Sequence, residues 1–399
     1  ILRRMKVRPL LVALVVLLAV TACTTTAEPS EVPSEPPPPA SAPPSESPDP
    51  TPDGTPEPTN PPTIAYEPAR VPASENGSST ITIVPGGEGL VAIGFDGGFG
   101  TLLWTSADGG RTWTDITPAD FAAIGISSVV EFDGMLVGVG RGDTINVEAE
   151  QAAVYLSDDG VSWRKVETAE ELVGQMIDVV ATDEGLFAVG GVPGADSAGV
   201  WHSTDALTWT RVGGDFEHAF LWSIAEGGAG LVAVGWRRNP EPDLAVWTSA
   251  DAGQTWKLAP DPEGFAGFEA TDVAALPDGT LAMVGAAFDG SGGRIWTSTD
   301  GATWTLALDD MPGVFARSVT LTDAGLLATG GGEDMGARAW LSTDGVTWTA
   351  LGDPVEGAFF TGAVETPDGI LLTGGTQGGT LETGIVAHAA VWVGTFEVP

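Results

Sequence analysis

Apart from its carboxylates, this 399-residue chain holds few side chains able to do chemistry. Its single cysteine, Cys23, rules out an intramolecular disulfide. The three histidines, His202, His218 and His388, are scattered and lack the spacing of a zinc site. No Gly-x-Ser-x-Gly elbow, phosphate loop or dinucleotide fingerprint occurs, so neither metal nor cofactor is expected. Acids are plentiful, 54 against 16 basic residues. Two of them, Asp178 and Asp272, open apolar strands and are candidates for paired acid–base work on one rim. Glycoside hydrolysis would need such a pair at a defined separation. With so many acids present, solvated surface is the favoured reading of both. A second cluster gathers rings and cations: His218, Phe220, Trp222, Trp236, Arg237 and Arg238. Rings beside guanidiniums suit a sugar, an aromatic group or a carboxylate-bearing partner. The same residues also fit plain packing, with Trp222 under its loop and the arginines neutralising nearby acids.

These candidates are carried by a repeat. Its clearest copy reads Ser298-Thr299-Asp300-Gly301-Ala302-Thr303-Trp304, and related copies end at Trp113, Trp163, Trp209, Trp256 and Trp348. Successive tryptophans stand 50, 46, 47, 48 and 44 residues apart. Two residues before each Ser comes an aromatic: Trp104, Tyr155, Trp201, Trp247, Trp296 or Trp340. Trp392 is a seventh, with no box after it. A glycine followed by an apolar run, as in Gly230 to Gly235, occurs seven times. Such a run marks a strand buried on both faces. A shorter run before it and an alternating one after the box complete four antiparallel strands in about 47 residues, the propeller pattern. The fold class expected is all-β: one seven-bladed β-propeller of four-stranded antiparallel blades over residues 75–399. For the last outer strand, Thr395 to Val398 is preferred over Ile64 to Tyr66, because seven inner elements already fall within 79–399.

The boxes resemble the Asp-box, or BNR, repeats of sialidases, sortilin-type receptors, certain xyloglucan hydrolases and a photosystem II assembly factor. This resemblance implies the fold and leaves function open, because such relatives do different things. Ser and Asp side chains in a tight turn can accept or donate to the loop's own amides. Asp108, Asp159, Asp205, Asp251, Asp300 and Asp344 are therefore expected to be structural, on the face opposite the ligand entrance. Sialidase chemistry would need an arginine triad, a tyrosine nucleophile and an Arg-Ile-Pro motif. The chain has only Tyr66 and Tyr155, and Arg294-Ile295-Trp296 is a repeat strand. The tryptophans are informative by subtraction. Twelve of the 14 occupy the box or the strand before it, and the two left over are Trp222 and Trp236, both in the fourth unit. Phenylalanines 121, 216, 265, 268, 315, 359 and 360 recur ahead of inner strands and read mostly as repeat core.

The first 74 residues speak to location. Arg3, Arg4, Lys6 and Arg8 precede an apolar run from Leu10 to Val20, too short to span a bilayer and patterned as a secretory signal. The run ends in Val20-Thr21-Ala22-Cys23, which resembles the bacterial lipoprotein box. The resemblance implies a signal peptide over 1–22 and acylated Cys23 as the membrane anchor. Residues 23–74, rich in Pro, Ser, Thr and Glu, are expected to form a disordered tether. The four basic residues of the signal are not matched by any acid there. The remainder therefore carries 12 basic against 54 acidic side chains, a net of −42. Such a surface repels nucleic acid. The expectation is a monomeric, non-catalytic binding or assembly module. It would sit outside the bacterial cytoplasmic membrane and recognise a glycan or an envelope protein. The alternative is a carbohydrate-active hydrolase or lyase using Asp178 and Asp272.

Overall fold

A computed structural model describes residues 63–72, 77–97, 100–142, 151–167, 172–192, 196–228, 230–260, 264–332, 336–378 and 386–397. The signal segment, Cys23 and the tether up to residue 62 lie outside these. The described residues form seven four-stranded antiparallel sheets, the blades of one propeller. Six blades run in simple chain order. The inner strands are Ser78–Gly86, Gly125–Phe132, Gln175–Thr182, Ala219–Gly227, Phe268–Ala275 and Phe315–Thr322. The seventh blade begins with Ala358–Thr366 and Gly369–Gly378, continues with Val386–Glu397, and takes its outer strand from Thr63–Pro68.

That last pairing corrects the expected ring closure. Thr63 to Pro68 lies antiparallel against Glu397 to Trp392, so residues assigned to the tether belong to the propeller. The stretch from Thr395 extends the third strand of the blade and does not turn back as a fourth. Ile64 is buried and packs with Phe360 and Trp392, and the Tyr66 hydroxyl donates to the Leu351 carbonyl of the sixth blade at 3.0 Å. Joining Thr63–Pro68 to the strand Val386–Glu397 in one sheet ties the ring shut.

The core is divided among the blade interfaces. Seven apolar clusters each join two neighbouring blades, the last one packing Ile83, Trp104 and Trp113 of the first blade against Leu371 and Val391 of the seventh. The aromatics of the third strands, Trp104, Tyr155, Trp201, Trp247, Trp296, Trp340 and Trp392, are all buried. Each is a large apolar plug filling the wedge between flat sheets, where about 25 cal/mol per Å² of buried apolar surface accumulates.

The Ser/Asp hairpins are self-contained. In the first, Ser106 Oγ donates to Asp108 Oδ1, while Asp108 Oδ1 accepts the amides of Arg111 and Thr112. The Trp113 indole N–H closes the turn on the Gly110 carbonyl at 2.9 Å. Accepting several N–H groups holds Asp108, Asp251 and Asp344 down at about 2, and Thr side-chain or backbone donors are the largest cause. In the third blade Ala206 fills the glycine position with φ 58°, the left-handed backbone that glycine adopts in the other copies. These hairpins share one end of the ring with the turns between first and second strands, as the bond from Gly87 N to Asp159 O illustrates. The interblade connections and the second-to-third-strand loops occupy the other end, the entrance face.

Candidate ligand face and inner acid ring

One irregularity positions every candidate. In each blade the ladder between first and second strands skips one residue near its entrance end. The skipped residues are Ile81, Ser127, Ile177, Trp222, Thr271, Arg317 and Thr361. A bulged residue has no cross-strand partner, and its side chain is re-aimed. The residues after the bulges are Thr82, Ser128, Asp178, Ser223, Asp272, Ser318 and Gly362 in blade order, and hydrogen bonds link four of them, Ser128, Asp178, Ser223 and Asp272, from blade to blade.

Asp178 and Asp272 are half-buried and bonded to the inner strands of neighbouring blades, not free acids on an open surface. Ser128 Oγ donates to Asp178 Oδ1 at 2.8 Å, and Ser223 Oγ lies 3.0 Å from Asp178 Oδ2 and 2.7 Å from Asp272 Oδ1. The Ile224 amide of the fourth blade donates to Asp178, and the Val319 amide of the sixth donates to Asp272. Inner strands of neighbouring blades share no ladder, so these carboxylates supply bonds around the ring that the backbone cannot. Burial pushes both acids up, Asp272 to about 6 with the charge of Asp178 as the second cause. Each of their four oxygens accepts from at least one donor of the scaffold. That arrangement serves blade docking better than acid–base chemistry on a substrate.

The aromatic candidates of the fourth blade do come together. Phe220 lies 4.5 Å from Trp222 at 53° and 6.4 Å from Trp236 at 11°, and all three rings are half-buried. Phe220 lies flat because the third blade has Gly191 beneath it; a Cβ there would stand 2.4 Å from the ring. The cations behave differently. Arg237 pairs with Asp215 at 3.3 Å, and Arg238 pairs with Asp196 at 3.2 Å. His218 Nδ1 is 2.7 Å from the second oxygen of Asp196, whose carboxyl is held down first by that bond and then by the Arg238 charge. His218 and Arg238 tie the fourth blade to Asp196 of the third, and Arg237 ties to Asp215 in the connection between them, so none of these three is a free cation. His202 is elsewhere, stacked on Phe187 at 4.5 Å near the hairpin end. His388 is in the seventh blade, with Nδ1 buried and without a partner.

Two residues at the mouth were not singled out in the sequence. The Trp222 indole N–H donates to Glu269 Oε2 at 3.0 Å. Next to Glu269, in the sixth blade, Arg317 occupies the bulge, its guanidinium 4.8 Å from the Phe315 ring and 5.6 Å from Phe359. Burial raises the Glu269 carboxyl and lowers Arg317 to about 10; each partly offsets the other's shift by attraction. Phe315 and Phe359 are half-buried here, as is Phe268 under Arg294 at 4.3 Å, whereas Phe121, Phe216, Phe265 and Phe360 are core as expected. Aligning the seven inner strands at their bulges would have revealed the signal. Two positions before the bulge, the fourth to seventh blades carry Phe220, Glu269, Phe315 and Phe359, against Ser79, Gly125 and Gln175 in the first three. A symmetric scaffold gives no reason for that asymmetry.

No family model and no curated protein matches the sequence. Among solved structures, a catalytically inactive virginiamycin B lyase from Staphylococcus aureus with quinupristin is similar at 10% identity. The match covers 83% of this chain and 99% of that one, with a TM-score of 0.58. A streptogramin B lyase is similar at 12% identity, covering 84% and 98%, with a TM-score of 0.54. YCF48 from Cyanidioschyzon merolae is similar at 14% identity, covering 82% and 98%, with a TM-score of 0.54. These likenesses are of fold: a seven-bladed propeller whose structural neighbours include lyases.

Proposed function

We propose that this chain is an Asp-box propeller displayed outside the bacterial cytoplasmic membrane on a lipid-modified Cys23. In this reading it binds a glycan or an envelope protein at the entrance face of blades four to seven. The observation that carries the reading is the asymmetry of that face. Rings and polar groups crowd the bulge region of four blades, while the equivalent positions of the other three are small, aliphatic or simply polar. The three half-buried rings Phe220, Trp222 and Trp236 offer flat apolar surface beside water, the usual character of a recognition hot spot.

A lyase or hydrolase acting through Asp178 and Asp272 is the second reading, favoured by the raised carboxyl of Asp272. Against it stands the engagement of both carboxylates with neighbouring blades.

The test is a glycan array probed with the full chain and with Trp236→Ala, alongside melting curves for both. Trp236 is half-buried at the surface, so the variant is expected to melt within a few degrees of the parent and to lose at least fivefold in affinity. Undiminished binding by the variant would remove this face from the function.

A further inference from the structure

The Arg317 side chain at the mouth is left with a polar atom unsatisfied. Its Nε is buried with no hydrogen-bond partner. Among the described residues no carboxylate comes within ion-pair distance of its guanidinium, whereas Arg237, Arg238 and Arg294 each have one. Glu269 attracts it from farther away but gives a carboxylate oxygen to Trp222. A guanidinium has five N–H donors in a planar fork and keeps its charge at any physiological pH. Holding one against two phenyl rings without an acceptor costs desolvation free energy that the rings and the more distant Glu269 return only in part. The side chain is only half-buried, so an acceptor can reach it from the entrance side.

We propose that Arg317 anchors a carboxylate carried on a six-membered ring, with the ring lying on the aromatic wall of Trp222, Phe315 and Phe359. The inference rests on the entrance-face reading above and gives it a ligand class. A carboxylate fits the fork bidentately. A phosphate dianion fits poorly, because the charge of Glu269 already acts on the single guanidinium. Flat rings flanking the anchor suit a second flat or chair-shaped ring. Phe359 is held in place because Gly331 lets it approach; a Cβ there would come within 2.8 Å of the Phe359 Cα. Ring acids of this kind have two sources, uronate sugars and aromatic acids.

The experiment is calorimetric titration of the full chain with trigalacturonate and with phenylacetate, using galactotriose and benzyl alcohol as neutral counterparts. Arg317→Gln, Glu269→Gln and Trp236→Ala are titrated in parallel, with melting curves to establish folding. At least one acid is expected to bind more tightly than its neutral counterpart. Arg317→Gln should weaken that acid at least tenfold, and Glu269→Gln should strengthen it severalfold by removing a like charge. Opposite signs from two neighbouring substitutions are not what a purely structural role would produce. Trigalacturonate binding alone identifies the sugar source, and phenylacetate binding alone identifies the aromatic one. Galactotriose binding as tightly as trigalacturonate, and still lost in Trp236→Ala, overturns the carboxylate anchor while the binding face stands. Silence from all four probes also overturns it, and the glycan array then decides the broader reading by itself.

Discussion

Ser223 has one hydroxyl proton and two carboxylates within hydrogen-bonding distance, Asp178 at 3.0 Å and Asp272 at 2.7 Å. If both acids are ionised, one of those contacts sets oxygen lone pairs against each other, so the arrangement favours holding one extra proton. Burial and the Asp178 charge raise Asp272 to about 6 against an ordinary 3.8. A group raised in the folded state stabilises fully below its unfolded value, and that stabilisation is lost as pH rises through the folded one. The window here runs from about pH 4 to pH 6.5. The difference between about 6 and 3.8, at 1.36 kcal/mol per pH unit, caps the effect at about 3 kcal/mol, a sizeable part of a typical folding free energy of about 5–15. Urea unfolding followed by tryptophan fluorescence at pH 4.5, 5.5, 6.5 and 7.5 reads it, with Asp272→Asn as the comparison. The amide cannot ionise. It does turn an NH₂ toward one backbone donor, Val273 or Val319, which costs about 1–3 kcal/mol at every pH. The variant should therefore be the weaker protein at pH 4.5, with the gap closing or reversing by pH 7.5. Taking the difference between the two proteins cancels the general repulsion among the chain's many acids. Parallel pH profiles would refute the shared proton.

The remaining expectations concern the scaffold. Removing residues 1–62 should leave the melting transition in place. Removing residues 1–74 should lower it sharply, because the outer strand of the seventh blade, its buried Ile64 and the Tyr66 bond all go; equal melting of the two truncations would contradict closure by Thr63–Pro68. Asp300→Ala should cost about 1–3 kcal/mol by unpairing the Ala302 and Thr303 amides and the Ser298 hydroxyl, read by chemical denaturation. Stability resting on the hairpin carboxylates, whose values are lowered, is present above their unfolded value near 3.8. It should fade as pH falls toward 2, measurable as an acid-unfolding limb opposite in sign to that of Asp272.

What could be read from the sequence was local. A hairpin whose Ser, Asp, Gly and Trp satisfy one another within a few residues leaves the same trace wherever it occurs, and six copies at near-constant spacing, together with seven glycine-led apolar runs, count the blades. Subtracting that scaffold was enough to find Trp222 and Trp236, because an indole outside the repeat is conspicuous. Three things depended on distance across the ring. Ring closure pairs Thr63 with Glu397, and two short strand-like stretches competed for the place with no local feature to rank them. That Arg237 and Arg238 neutralise acids was one of two readings of the sequence, but only the fold chose it and brought Asp215 from an interblade connection and Asp196 from the neighbouring blade. Asp178, Ser223 and Asp272, separated by 45 and 49 residues, became one hydrogen-bonded chain only when the fold set three bulged inner strands side by side. Among the described residues Arg317 has no ion-pair partner, and that too is a matter of distance. A sequence records which groups exist, whereas satisfaction of a buried charge depends on which groups the fold places within a few ångströms of it.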